Sequence, residues 1–170
     1  MIALSEPSAP ELEQIRQLYF DSFPPEERRP WESLVAPEDD GPILRTVQHD
    51  GVFAGMISYW DFGAFAYVEH FAILPSLRGG GTGAKTLAAL KDALVKPIVL
   101  EVEPPCEDNP MAARRIGFYH RNGFETLDYD YIQPPYAPGL PSVPLILMST
   151  DPAIDAAQAA RTLIQKVYKA

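Results

Sequence analysis

At 170 residues the chain is sized for one domain, which buries roughly 70% of the surface its unfolded form exposes. A net charge of −9 speaks against a nucleic-acid partner, the single cysteine, Cys106, excludes an internal disulfide and a Cys-rich zinc site, and His49, His70 and His120 show no metal-ligand spacing. With 46% apolar residues, no apolar run near the roughly 20 residues of a membrane span, and no basic cluster ahead of an apolar core in residues 1–10, the composition is that of a soluble protein with the cytoplasm as default location.

Residues 1–5 read as a short edge strand. From Ala9 onward, Leu12, Ile15, Leu18 and Tyr19 fall at helical spacing behind Ser8 and Pro10, which predicts a first helix ending near Ser22. Pro24 and Pro25 suit the opening of a second, short helix carrying Trp31, Leu34 and Val35, followed by an acidic turn at 37–42. Asp21, Glu26 and Glu27 read as a solvated helix face that can also receive a cationic substrate.

Residues 43–48 and 52–62 form a hairpin through His49-Asp50-Gly51, a turn of the Asp-Gly kind. A third strand at 67–74 follows, so three strands run antiparallel in succession. Alternation puts Tyr67, Glu69, Phe71 and Ile73 on one face and Val68, His70, Ala72 and Leu74 on the other. Glu69 then sits among apolar neighbours, where an unpaired carboxylate suits a general base working near neutrality.

Pro75 stops that strand, Arg78-Gly79-Gly80-Gly81-Thr82-Gly83 makes a turn, and a helix follows over about 82–95. Glycines let backbone N–H groups converge on a ligand, and the helix start behind them adds partial positive charge, so the turn reads as a pyrophosphate cradle. A ligand-free connection does not call for four glycines in five residues, which lose much conformational entropy on folding.

A strand at 98–103, parallel to the third strand after the helical crossover, carries Glu101 and Glu103 on one face. Asp108 or Asn109 then caps a helix with Pro110 in first position, ending at Asn122-Gly123, its stripe formed by Ala112, Ile116 and Tyr119. Residues 124–132 and 143–149 make a last pair of strands around a proline-rich loop at 133–144 that can rim a substrate pocket. Asp151 and Pro152 open a terminal helix whose stripe Ala153, Ala157, Ala160, Ile164 and Val167 suits close packing, on the domain or on a second copy in a homodimer.

These residues resemble the GNAT superfamily of acyl-CoA-dependent N-acyltransferases. Arg78-Gly79-Gly80-Gly81-Thr82-Gly83 fits that family's Gln/Arg-x-x-Gly-x-Gly/Ala signature, Phe71-Ala72-Ile73-Leu74-Pro75 is similar to its strand end, and Asn109 through Phe118-Tyr119-His120-Arg121-Asn122-Gly123-Phe124 matches its second signature. The resemblance covers about residues 1–150 as one domain, with 151–170 as an added C-terminal helix. It implies an α/β (α+β) fold, a mixed central sheet of six to seven strands flanked by helices. It further implies transfer of an acetyl group from acetyl-CoA, with no metal, to a primary amine of a small molecule or peptide by direct attack in a ternary complex. By resemblance Phe71, Ala72 and Ile73 meet the pantetheine arm, Arg78, Gly79, Gly80, Gly81, Thr82 and Gly83 hold the pyrophosphate, with Lys85 in reach of a phosphate, and Asn109 and Tyr119 contact the arm and the sulfur.

An amine that titrates near ~10.4 is neutral in only about one molecule in two thousand at pH 7, so a base is needed. Glu69 and Glu101 both match family positions that supply one, and the sequence leaves the choice open. Tyr119 matches the general acid for the departing thiolate. Two other readings stay open: a non-catalytic acyl-CoA-binding sensor, and a dinucleotide-binding oxidoreductase, since Gly79-x-Gly81-x-x-Ala84 followed by Glu101 about twenty residues on also fits that pattern. The latter needs a first βαβ unit where antiparallel strands are expected.

Overall fold

A computed structural model describes residues 1–38 and 40–170, so the expected acidic turn at 37–42 lies partly outside the described residues at Asp39. The backbone separates into two compact units, Met1–Lys96 and Pro97–Ala170.

In the first unit, β1 (Ile2–Ser5), β2 (Ile43–His49), β3 (Val52–Asp61) and β4 (Ala66–Ile73) pair antiparallel in sequence order. The β2–β3 hairpin turns on Asp50 and Gly51, both at positive φ (51° and 79°), as the Asp-Gly signal predicts. Helix α1 (Ala9–Ser22) starts on a capping box in which Ser8 and Glu11 satisfy each other's backbone N–H, and it lays Ile15, Leu18 and Tyr19 on the sheet. These join Leu34, Leu44, Phe53, Met56 and Ala72 in a core cluster. Each of the large aliphatic, methionine and phenylalanine side chains among them contributes about 1.5–3 kcal/mol by leaving water.

The second helix differs from expectation. A single turn of 3-10 helix at Pro25–Glu27 and α2 (Trp31–Val35) are separate, because Pro30 has no N–H to donate and pushes Arg29 out of helical geometry. Helix α3 (Thr82–Leu94) follows β4 and packs on β1 and β4, burying Thr86, Leu87 and Leu90.

In the second unit β5 (Ile98–Val102) is followed by α4 (Pro110–Arg121), which Asn109 opens and Gly123, at φ 86°, closes. The strand expected at 124–132 is two short ones, β6 (Glu125–Thr126) and β7 (Tyr131–Gln133), both antiparallel to β8 (Val143–Ser149), which also pairs with β5. Eight strands among the described residues therefore replace the six to seven expected. The terminal helix α5 (Ala156–Thr162) begins later than predicted. Asp155, not Asp151, caps it by accepting from the Gln158 N–H at 3.0 Å, while Asp151 closes a separate turn through Ala153. Its buried stripe is Ala159, Ala160, Leu163 and Val167, shifted from the predicted one and covered within the chain itself.

Candidate active site

The glycine turn has the geometry of an anion cradle. Gly79 and Gly81 both adopt positive φ (84° and 82°), and a Cβ built on either meets nothing within 4 Å, so open space lies over the turn. The first helical hydrogen bond runs from Lys85 N–H to Gly81 C=O, which leaves the amides of Gly81, Thr82, Gly83 and Ala84 without an intrahelical acceptor. Arg78 braces the turn from outside, its Nε donating to the Ile73 carbonyl at 2.9 Å. Thr82 is buried beneath, its hydroxyl 3.2 Å from His49 Nδ1. Phe71, Ala72 and Ile73 stand in register with Ile57, Met56 and Gly55 of β3. Gly55 is required there, because a Cβ would lie 2.3 Å from the Ala72 carbonyl.

Glu69 is not the unpaired carboxylate expected. Val68 faces Tyr59 and His70 faces Ser58, so Glu69 is the extra residue of a β-bulge, which re-aims its side chain against the simple alternation. The carboxylate is fully buried and receives Arg29 Nε at 3.1 and 3.2 Å and Trp60 Nε1 at 3.0 Å. Arg29 lies over the Trp60 ring at 5.2 Å and donates to Ser33 Oγ, while its carbonyl accepts from the Tyr19 hydroxyl at 2.9 Å. Burial, with the Glu69 charge, pushes the Tyr19 hydroxyl well above the usual phenol range. Beside them His70, also buried, has Nε2 at 2.8 Å from the Glu27 carbonyl and packs edge-on to Tyr19 and Phe23. Burial holds its affinity for a second proton below the ordinary value, against the opposing pull of Glu69. Sequence reasoning missed Arg29.

In the second unit Asn109 caps no helix amide with its side chain; its Nδ2 donates to Glu103 at 2.5 Å. Tyr119 packs edge-on to Phe118 and Phe124, and burial pushes its hydroxyl up to about 12. Glu101, on β5, accepts a hydrogen bond from the Tyr168 hydroxyl at 2.7 Å, and Tyr168 in turn packs on Tyr136 at 5.0 Å. Both tyrosines escaped sequence reasoning, because neither sits in a motif. Among the described residues no His, Cys, Asp and Glu group is arranged to hold a metal, and no helix is long and apolar enough to cross a membrane.

The description that matches residues 12–124 is "Acetyltransferase (GNAT) family". The chain belongs to that family. A GNAT-family protein of Bacteroides thetaiotaomicron, named for acetyltransferase activity, superposes with a TM-score of 0.88 at 39% identity over 99% of both chains, which gives the chain the mixed α/β GNAT fold with a C-terminal helix. YjbC of Bacillus subtilis (strain 168), also named as an acetyltransferase, is 37% identical over 70 residues, 41% of this chain and 36% of that protein, so the match spans about a third of the relative. Arabidopsis thaliana Naa50, solved with the bisubstrate analogue CoA-Ac-MVNAL, shares the fold at 22% identity, with a TM-score of 0.59 over 87% of this chain and 97% of that one. As a GNAT protein the chain is of the acetyl-CoA-dependent N-acetyltransferase class. The dinucleotide reading falls with this, and also because four antiparallel strands, not a βαβ unit, precede the glycine turn.

Proposed function

We propose that this chain transfers an acetyl group from acetyl-CoA to a primary amine of a small molecule or peptide by direct attack in a ternary complex. The observation that carries the reading is the cradle: two glycines in left-handed conformation, open space above them, and a row of amides at the start of α3. Such an array fits a pyrophosphate, because the donors are fixed by the backbone and the helix end adds positive charge. Lys85, exposed one turn into α3, is placed to add a cation. Acetyl-CoA, when bound, supplies an activated thioester.

The chain's residues do the rest. Glu69 and Glu101 are the proposed acceptors for the proton that the attacking amine gives up. Glu69 is shielded from water but carries Arg29, so its service as base requires that cation to share or release it. Glu101 is half-buried and steadied by Tyr168. Tyr119 is the proposed donor to the departing sulfur. With its hydroxyl pushed up to about 12 against ~8.5 for an ordinary thiol, full proton transfer is unfavourable, and hydrogen bonding to the thiolate is its contribution. Glycines, strand ends, Asn109 and Arg78 hold and orient; they move no proton.

The test is release of free thiol from acetyl-CoA with spermidine, an aminoglycoside and a peptide with a free N-terminus as acceptors, beside calorimetric binding of CoA. Turnover of one of them, lowered in Glu69→Gln or Glu101→Gln and in Tyr119→Phe, supports the reading. Tight CoA binding without turnover of any amine overturns it in favour of a sensor.

A further inference from the structure

The family match ends at residue 124, yet the last residues of the chain are held in place by unusual means. Here α5 widens into a π-helical turn, Leu163–Val167, closed by Tyr168 N–H to Leu163 C=O at 3.2 Å. Lys169 then adopts a left-handed φ of 53°, and Ala170 N–H returns to the Ile164 carbonyl at 2.9 Å. Leu163 and Val167 anchor the turn in the core. A π turn and a left-handed lysine each cost free energy that a plain helix end avoids, and such departures gather where a side chain must be aimed. The side chain aimed is Tyr168. Its hydroxyl donates to Glu101 Oε1 at 2.7 Å, across 67 residues of sequence, and its ring rests on Tyr136, tilted by 56°.

We infer that Tyr168 is a positioning residue for Glu101, and that the C-terminal tail is thereby part of the active site. The inference rests on the proposed reading in which Glu101 serves the incoming amine. With one oxygen committed to Tyr168, the carboxylate has a fixed plane and rotamer; Tyr136, packed on the far ring, fixes Tyr168 in turn. Without the hydroxyl the carboxylate loses that restraint and meets the amine in the right orientation less often.

The experiment uses the full chain with acetyl-CoA and whichever of spermidine, an aminoglycoside or a free peptide N-terminus it acetylates. Tyr168→Phe keeps the ring and its packing and removes only the hydroxyl. Expected are a fall in kcat of about tenfold, a KM for acetyl-CoA within about twofold of the parent, and a displaced acidic limb in the pH profile of kcat. The double variant Glu101→Gln/Tyr168→Phe is expected to be no slower than Glu101→Gln alone, since one residue acts through the other. Losses that multiply in the double variant, a parent-like rate in Tyr168→Phe, or a lower melting temperature with an unmoved pH profile each overturn the inference while leaving acetyl transfer intact. No turnover of any of the three amines by the parent protein brings down the acetyl-transfer reading itself, and this inference with it.

Discussion

Arg29 and Glu69 form an ion pair whose two side chains are 10% and 0% exposed, joined at 3.1 Å across 40 residues of sequence. Both charges have left most of their water, and each offsets part of the other's desolvation. Arg29→Met takes the ion-pair partner from a buried carboxylate that keeps the Trp60 N–H, and is expected to cost about 3–5 kcal/mol in urea unfolding. Replacing both, as Arg29→Met/Glu69→Leu, is expected to recover most of that loss, since apolar partners of similar volume need no mutual compensation. A double variant as unstable as the single one would show that Arg29 acts through Ser33 or Trp60 instead.

The three glycines at the head of α3 are not equivalent. Gly79 and Gly81 need positive φ, which costs a residue with a Cβ about 1–2 kcal/mol, whereas Gly80 does not, and its added Cβ would meet only the Leu77 carbonyl at 3.7 Å. Gly79→Ala and Gly81→Ala are therefore expected to lower the melting temperature and weaken CoA binding together. Gly80→Ala is expected to leave the melting temperature within a degree or two of the parent. Calorimetry with CoA separates the roles: weakened binding in Gly80→Ala at unchanged stability would mark that position as one where a ligand, not the backbone, excludes a side chain.

His70 makes stability depend on pH. Burial keeps the folded imidazole from taking a second proton, partly opposed by Glu69 and the Glu27 carbonyl, so its folded value lies below the ordinary ~6.5. Below that pH the unfolded chain binds the proton and the folded one does not. The contribution is thus fully present above about 6.5 and is lost as pH falls from there toward the folded value. Urea unfolding at pH 7.5, 6 and 5 is expected to show this decline, and His70→Gln, which keeps a donor for the Glu27 carbonyl, is expected to flatten it. An equal slope in that variant would assign the decline to carboxylates.

Local signals carried most of the fold into the sequence. Ser8 and Pro10, Asp50-Gly51, the glycine turn, and Asn109-Pro110 with Gly123 each act within a few residues, so α1, the β2–β3 hairpin, α3 and α4 lie where spacing puts them. What the sequence hid depends on distant partners. The bulge at Glu69 exists only in its pairing with Ser58 and Tyr59 of β3. Arg29 points inward because Glu69 and Trp60 wait for it; Pro30, which breaks the helix behind it, was the one local hint. In the same way Tyr168 gains meaning from Glu101, and the start of α5 was misplaced because Asp151 and Asp155 are both good caps and only tertiary packing chose between them.

Tyr119 tests the chemistry most directly. Its hydroxyl has no hydrogen-bond partner among the described residues, so Tyr119→Phe strands nothing and is expected to change the melting temperature little. A donor to the departing sulfur is lost, however, and kcat is expected to fall by about 10²-fold while KM for acetyl-CoA holds. With the hydroxyl pushed up to about 12, the tyrosine keeps its proton across the accessible alkaline range. The rate is therefore expected to rise toward pH 9 as more of the amine becomes neutral, with no fall attributable to phenol ionisation up to about pH 10. An alkaline limb near pH 9 that vanishes in Tyr119→Phe would mean that substrate-bound Tyr119 loses its proton far more easily than its partly buried setting allows. An unchanged kcat in Tyr119→Phe would give the hydroxyl no part in the reaction.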